Sequence, residues 1–129
     1  MTELSTGVVG IGTDAVDIGR FRRVLLRTPG FAARVFTADE LAYANRSNDP
    51  TERLAARFAA KEATMKALSV GLGACRMTDI EVARDPSGRP HLVLVGRAHA
   101  LALDRGVARW HLTLTHTALV AFAVALGQG

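Results

Sequence analysis

The sequence predicts an α+β fold. Three observations carry this. Helical patterns crowd the first half of the chain, alternating apolar patterns crowd the second, and strands and helices do not alternate as a parallel sheet requires. With 129 residues the chain suits one domain, 1–129, with a single modest core. Hydrophobic residues at 49% and charged residues at 22% exclude a disordered chain.

"GVVGIG" (Gly7 to Gly12) reads as a short strand. "TDAVDIGRFRRVLLRT" reads as a helix start capped by Thr13 or Asp14, with an apolar stripe of Val16, Phe21, Val24 and Leu25. "TPG" (Thr28 to Gly30) stops it. "FAARVFTADELAYANRS" reads as two short helical pieces, the second opened by Thr37 and Glu40 at capping-box spacing. "NDP" (Asn48 to Pro50) is a turn. "TERLAARFAAKEATMKALSVG" is a long Ala-rich helix expected to end at Gly71. "DIEVARDPSGRPHLVLV" gives two strands joined at "DPSG" (Asp85 to Gly88). "GRAHALALDRG" gives a short amphipathic helix, and "WHLTLTH" and "ALVAFAVAL" give two final strands.

Several classes fall away. The longest apolar run, "ALVAFAVAL" (Ala118 to Leu126), is far short of the roughly 20 residues that cross a bilayer. The opening "MTELSTG" has no basic n-region or long apolar h-region, so no secretory signal is expected. The one cysteine, Cys75, allows no internal disulfide and suits a cytoplasmic protein. Net charge is +4, yet the five arginines between Ile18 and Phe36 make that segment +5, leaving −1 for the rest. Such a patch implies an acidic partner. Aromatics at only 5% offer few bases a stacking surface, which argues against nucleic acid.

The chemistry concentrates in "RFAAKEATMKAL" (Arg57 to Leu68). Glu62 and Lys66 stand at i,i+4, as an ordinary surface ion pair would. Arg57 and Lys61, also i,i+4, repel, which makes sense if an anion sits between them. Met65 reads as core. Glu62 among cations suits a Mg²⁺ site, which needs a second oxygen ligand. Asp14, after Gly10 and Gly12 where backbone can approach a phosphate, is the better candidate, and Asp17 the competitor. As a plain alternative, Asp14 is only a helix cap. "GIGTDA" formally matches a dinucleotide fingerprint, but the expected downstream acid falls near Arg34, of the wrong sign. In "WHLTLTH", alternation puts Trp110, Leu112, Leu114 and His116 on one face and Thr113 and Thr115 on the other. His116 is either a core or edge histidine or a phosphate contact. The four histidines spread over three elements, with only His111 and His116 sharing a strand, which argues against zinc.

"GIGTDAVDIGRF", "RFAAKEATMKAL", "DIEVARDPSGRPHLVL" and "LTLTHT", in that order, resemble the successive motifs of the holo-[acyl-carrier-protein] synthases, the small bacterial 4′-phosphopantetheinyl transferases. The resemblance runs from about Val8 to Leu126. It implies the 4′-phosphopantetheinyl transferase fold, a mostly antiparallel sheet packed against a long central helix with shorter helices. It implies Mg²⁺-dependent (or Mn²⁺-dependent) transfer of 4′-phosphopantetheine from coenzyme A to a serine of an acidic acyl carrier protein, releasing 3′,5′-ADP for fatty-acid or polyketide synthesis. Asp14 and Glu62 then match the metal ligands, and Glu62 and Lys66 the catalytic pair. Arg57, Lys61, Lys66, Gly88, Pro90, Thr115 and His116 match CoA contacts. Arg20, Arg23 and Arg27 would dock the carrier protein. The family's homotrimer places each site between subunits. Met65 departs from a common serine, and "SNDP" replaces common basic residues, for which Arg46 or Arg53 would substitute.

Overall fold

The structure is a computed structural model that describes residues 7–129. The expectation about a secretory signal falls mainly on residues 1–6, outside the described residues.

Strand β1 is Val8–Asp17, longer than the short strand expected. Thr13, Asp14 and Asp17 all have cap-like chemistry, and the chain uses only the last. Asp17 is the N-cap of α1, Ile18–Arg27, and its carboxylate accepts from Arg20 N at 2.7 Å. Helices α2, Phe31–Val35, and α3, Ala38–Ala44, follow, and the Thr37–Glu40 capping box forms as expected.

Helix α4, Thr51–Ala67, is the central element. Asp49 accepts from the backbone and hydroxyl of Thr51 just before it begins. The helix ends four residues before Gly71. Ser69 takes the left-handed conformation, φ 57°, and Val70 N→Met65 O and Ser69 N→Lys66 O close a Schellman turn without glycine. A 3₁₀ turn, Met77–Asp79, leads into the hairpin of β2, Ile80–Arg84, and β3, Pro90–Leu94. Then come α5, Gly96–Asp104, β4, Arg109–His116, and β5, Val120–Gln128.

The three-stranded sheet runs β1-β5-β4, antiparallel throughout, and β2-β3 form a second, two-stranded sheet. Small residues let α4 lie against the larger sheet. Ala59, Ala60 and Ala63 meet Ala123 and Ala125 in one cluster, all fully buried. Gly10 and Gly12 come closer still. A Cβ on Gly10 would stand 2.0 Å from Ala67 O, and one on Gly12 1.9 Å from Ala63 O. These glycines therefore serve strand–helix packing, not a phosphate. A second cluster holds α1 to α4 through Phe21, Phe31, Phe36 and Phe58, with ring centroids 5.4–6.3 Å apart. Such pairs contribute about 0.5–1.5 kcal/mol each beyond the area they bury. Helix α4 is thus enclosed on nearly every side, and its charged side chains cannot form one solvated stripe.

Candidate active site

Asp14 lies inside β1, opposite Ala123 of β5, and not at a helix start. By strand alternation it shares the α4-facing side with Gly12 and Val16. That side brings its carboxylate to the helix. Lys66 Nζ donates to Asp14 Oδ1 at 3.0 Å and to Thr13 O at 3.0 Å. Asp14 is mostly covered, with its side chain 18% exposed, while Lys66 is 55% exposed. Glu62, one turn earlier, is half-buried. Burial raises its carboxyl above the ordinary value, the Asp14 charge raises it further, and Lys66 opposes both. The two acids, 48 positions apart in the chain, therefore feel each other's charge. Both line a hollow of about 340 Å³, with Asp17, Arg20, Phe21, Phe31 and Phe58 among its other walls.

This donor set fits magnesium. Mg²⁺ takes hard oxygen ligands, typically one or two carboxylates completed by water and substrate phosphates. Asp14 and Glu62 supply two such oxygens in mutual repulsion, which a cation would relieve. Among the described residues no group of three or more His, Cys, Asp or Glu side chains converges, so a closed all-protein metal cage is not built. Asp17 is committed to capping α1.

Arg57 lies on the opposite flank of α4. At 100° per residue it stands about 140° around the axis from Glu62. Two hollows of about 460 and 490 Å³ open there and share Tyr43, Arg57 and Arg84. Gly88, at φ 88°, lines the first, and Pro90 and His116 line the second. The β2–β3 turn is fixed by Asp85, which accepts from Ser87 N, Ser87 Oγ and Arg89 N. His116 Nδ1 lies 3.5 Å from Glu52 Oε2, at the half-exposed mouth. Neither hollow shares a lining residue with the carboxylate hollow.

One sequence-based assignment changes, that of Lys61, and Thr115 stands apart from the hollows. Lys61 is fully buried and lines none of these hollows. Its ammonium donates to Glu40 Oε1 at 2.8 Å, to Met77 O at 3.0 Å and to Ile80 O. Burial lowers its pKa and the Glu40 carboxylate opposes that shift. All three ammonium donors are used, so Lys61 holds the β2 approach to α4 and has none left for an anion. Thr115 pairs with Phe122 in register and lies on the outer sheet face, away from His116. Met65 is core, as expected, at 2% exposure. Arg20, Arg23 and Arg27 are exposed on α1, while Arg22 is tied to Asp49 at 3.0 Å. Tyr43 and Arg84 are wall residues that sequence reasoning missed. Arg84 reaches the group only through the hairpin, and no local spacing announces that.

A family model of the 4′-phosphopantetheinyl transferase superfamily matches residues 10–123. The holo-[acyl-carrier-protein] synthase of Moorella thermoacetica is 48% identical over 115 residues, covering 89% of this chain and 90% of the relative. That of Frankia casuarinae is 47% identical over 121 residues, covering 94% and 98%. Among solved structures, a Bacillus anthracis holo-(acyl-carrier-protein) synthase in complex with CoA (3′,5′-ADP) superposes with a TM-score of 0.79 at 31% identity, covering 95% of this chain and 97% of that one. The chain therefore belongs to the 4′-phosphopantetheinyl transferase superfamily, as an enzyme of its holo-[acyl-carrier-protein] synthase group.

Proposed function

We propose that the chain transfers 4′-phosphopantetheine from coenzyme A to a serine of an apo acyl carrier protein and releases 3′,5′-ADP. The observation that carries this reading is the pairing of Asp14 with Glu62 beneath Lys66, on a helix whose other flank gathers arginines. The serine oxygen attacks the phosphorus that bears pantetheine, and the bond from that phosphorus to the oxygen of 3′,5′-ADP breaks. Glu62 takes the serine proton, directly or through a water. Lys66 offsets charge on the departing phosphate. Arg57, with Arg53 and Arg84, and His116 hold the other phosphates of CoA, and Gly88 and Pro90 border the nucleotide. Asp14 and Glu62 would hold Mg²⁺ (or Mn²⁺), which would supply charge neutralisation for the diphosphate.

The same reading extends to the partners. Arg20 walls the carboxylate hollow, so α1 with Arg23 and Arg27 delivers an acidic carrier protein beside the reacting groups. A homotrimer with each site between subunits fits two features. The carboxylate and cation hollows are separate within one chain. The outer sheet face also exposes Ile11 at 60% and Phe122 at 37%, an apolar patch that suits an interface. We place the reaction in the cytoplasm, in fatty-acid or polyketide synthesis, with residues 1–129 as one catalytic domain. The test is incubation with CoA, Mg²⁺ and an apo carrier protein, followed by intact mass spectrometry. A gain of one phosphopantetheine is expected, absent when metal is chelated. No gain on any small acidic carrier would overturn the proposal.

A further inference from the structure

Four guanidinium groups converge on one phenol ring. The charge centres of Arg57, Arg53, Arg84 and Arg46 lie 4.4, 4.5, 4.9 and 5.8 Å from the centroid of Tyr43. They come from separate parts of the fold: two from α4, one from the end of β2 and one from just beyond α3. Like charges gathered this way repel. Among the described residues, none of the four has a carboxylate within 4.0 Å. Asp39, Glu81 and Asp85 line the same hollow without pairing with them. Arg57 is only 2% exposed, and its Nε is buried with no hydrogen-bond partner. A buried donor left unmet is costly, so the group holds unused capacity for an acceptor.

What the four share is the ring. An aromatic face attracts a cation without cancelling its charge, at about 0.5–1 kcal/mol for an exposed pair and more when water is excluded. A carboxylate in the same place would hold the arginines but neutralise them. Backbone contacts contribute only two further ties: Arg53 Nη1 donates to Tyr43 O at 2.9 Å, and Arg57 Nη1 to Arg53 O at 3.2 Å. Neither uses the ring, so both survive its substitution.

We propose that Tyr43 is a positioning residue whose ring gathers Arg46, Arg53, Arg57 and Arg84 into a preformed receiver for the phosphates of coenzyme A. The inference rests on the CoA reading above. It assigns the ring a role in affinity, because a receiver assembled in advance spares the ordering of long side chains when the anion arrives. Loss of the ring therefore acts on KM and Kd for CoA and leaves the chemical step intact.

The test compares wild type with Tyr43→Phe, Tyr43→Leu and a chain carrying pentafluorophenylalanine at position 43. Set against Tyr43→Phe, the fluorinated ring keeps nearly the same outline but loses the negative face, so that pair reports the electrostatics, with the melting temperature as the control for folding. KM and kcat for CoA, Kd for CoA by calorimetry and the melting temperature are measured on each. Tyr43→Phe should stay within about twofold of wild type. The fluorinated ring and Tyr43→Leu should raise KM and Kd roughly five- to twentyfold, with kcat within about twofold. An unchanged KM with the fluorinated ring overturns the inference. So does a loss in Tyr43→Phe equal to that in Tyr43→Leu, or a fall confined to kcat and melting temperature, which marks packing alone. Wild type that fails to bind CoA removes the functional reading and this inference together. Wild type that binds CoA beside indifferent ring variants removes this inference alone.

Discussion

Replacing Gly12 with alanine tests how the fold sets the site. The new Cβ would stand 1.9 Å from Ala63 O and 2.7 Å from Ala67 N, whereas real Cβ contacts stay beyond 3.0 Å. Both neighbours are α4 backbone, so no rotamer relieves the clash. Strand β1 and α4 must part by at least about 1.1 Å, the gap between 1.9 and 3.0 Å. Overpacking typically costs about 1–3 kcal/mol, and a clash with rigid backbone belongs at the upper end. For a chain of this size, about 3 kcal/mol lowers the melting temperature by roughly 10 °C. The same opening displaces Asp14 from Glu62 and Lys66 on α4 and strains the 3.0 Å contact between Lys66 and Asp14. A displacement near 1 Å at reacting groups can cost about a hundredfold in rate. Urea and thermal unfolding, at fixed chain concentration, and the transfer assay measure both effects. A Gly12→Ala chain that loses less than about 0.5 kcal/mol and turns over normally would refute the reasoning.

Three further outcomes follow from the same geometry. Glu62→Gln should reduce transfer at least about a hundredfold. It should not reduce stability at pH 8: the folded chain raises the Glu62 pKa, so ionisation costs stability above that value and the cost disappears as pH falls through it. Urea midpoints from pH 8 to 4 should show the advantage of Gln shrinking, and a less stable variant at pH 8 would contradict this. Arg20→Glu with Arg23→Glu should raise KM for carrier protein roughly tenfold at low salt and leave KM for CoA within about twofold, and equal losses in both would count against docking by α1. Asp49 is pulled from 3.8 to about 2 by the Thr51 hydroxyl and backbone and by Arg22. A depressed carboxylate stabilises the fold above its ordinary value and loses that effect as pH falls through the folded one. Asp49→Asn should therefore be weaker than wild type by under about 1 kcal/mol at pH 6, with the difference closing between pH 3.8 and about 2 in acid unfolding.

Most elements could be read in advance because their cues are local. The capping box at Thr37, the hairpin turn at Asp85 and the apolar run of β5 each depend on residues a few positions apart. The boundary of β1 with α1 was not legible. Thr13, Asp14 and Asp17 offer the same capping chemistry, and the choice is made by pairing with β5, which lies at the far end of the sequence. The carboxylate pair and Lys66 were identifiable from motif and residue type, and the structure brings them together. Lys61 was misread for a different reason. A lysine becomes interior only if a distant acceptor set receives it, and Glu40 and the Met77 and Ile80 carbonyls are unrelated in local sequence. The Tyr43 cluster escaped notice likewise, since Arg84 arrives from the β2–β3 hairpin, far along the chain from the helices that carry the rest. Gly10 and Gly12 were seen as special, yet the partner they accommodate is a helix backbone and not a ligand.

Helix α4 gives each of its two flanks a separate task, with Glu62 facing one hollow and Arg57 the other. Under the proposed trimer, each chain lends its acid to one seam and its arginine to the next. Two dead chains, one damaged at Glu62 and one at Arg57, would then rescue each other once co-expressed. A mixed ring contains a junction at which both intact halves meet, so heredity at this locus would show complementation between alleles of one gene.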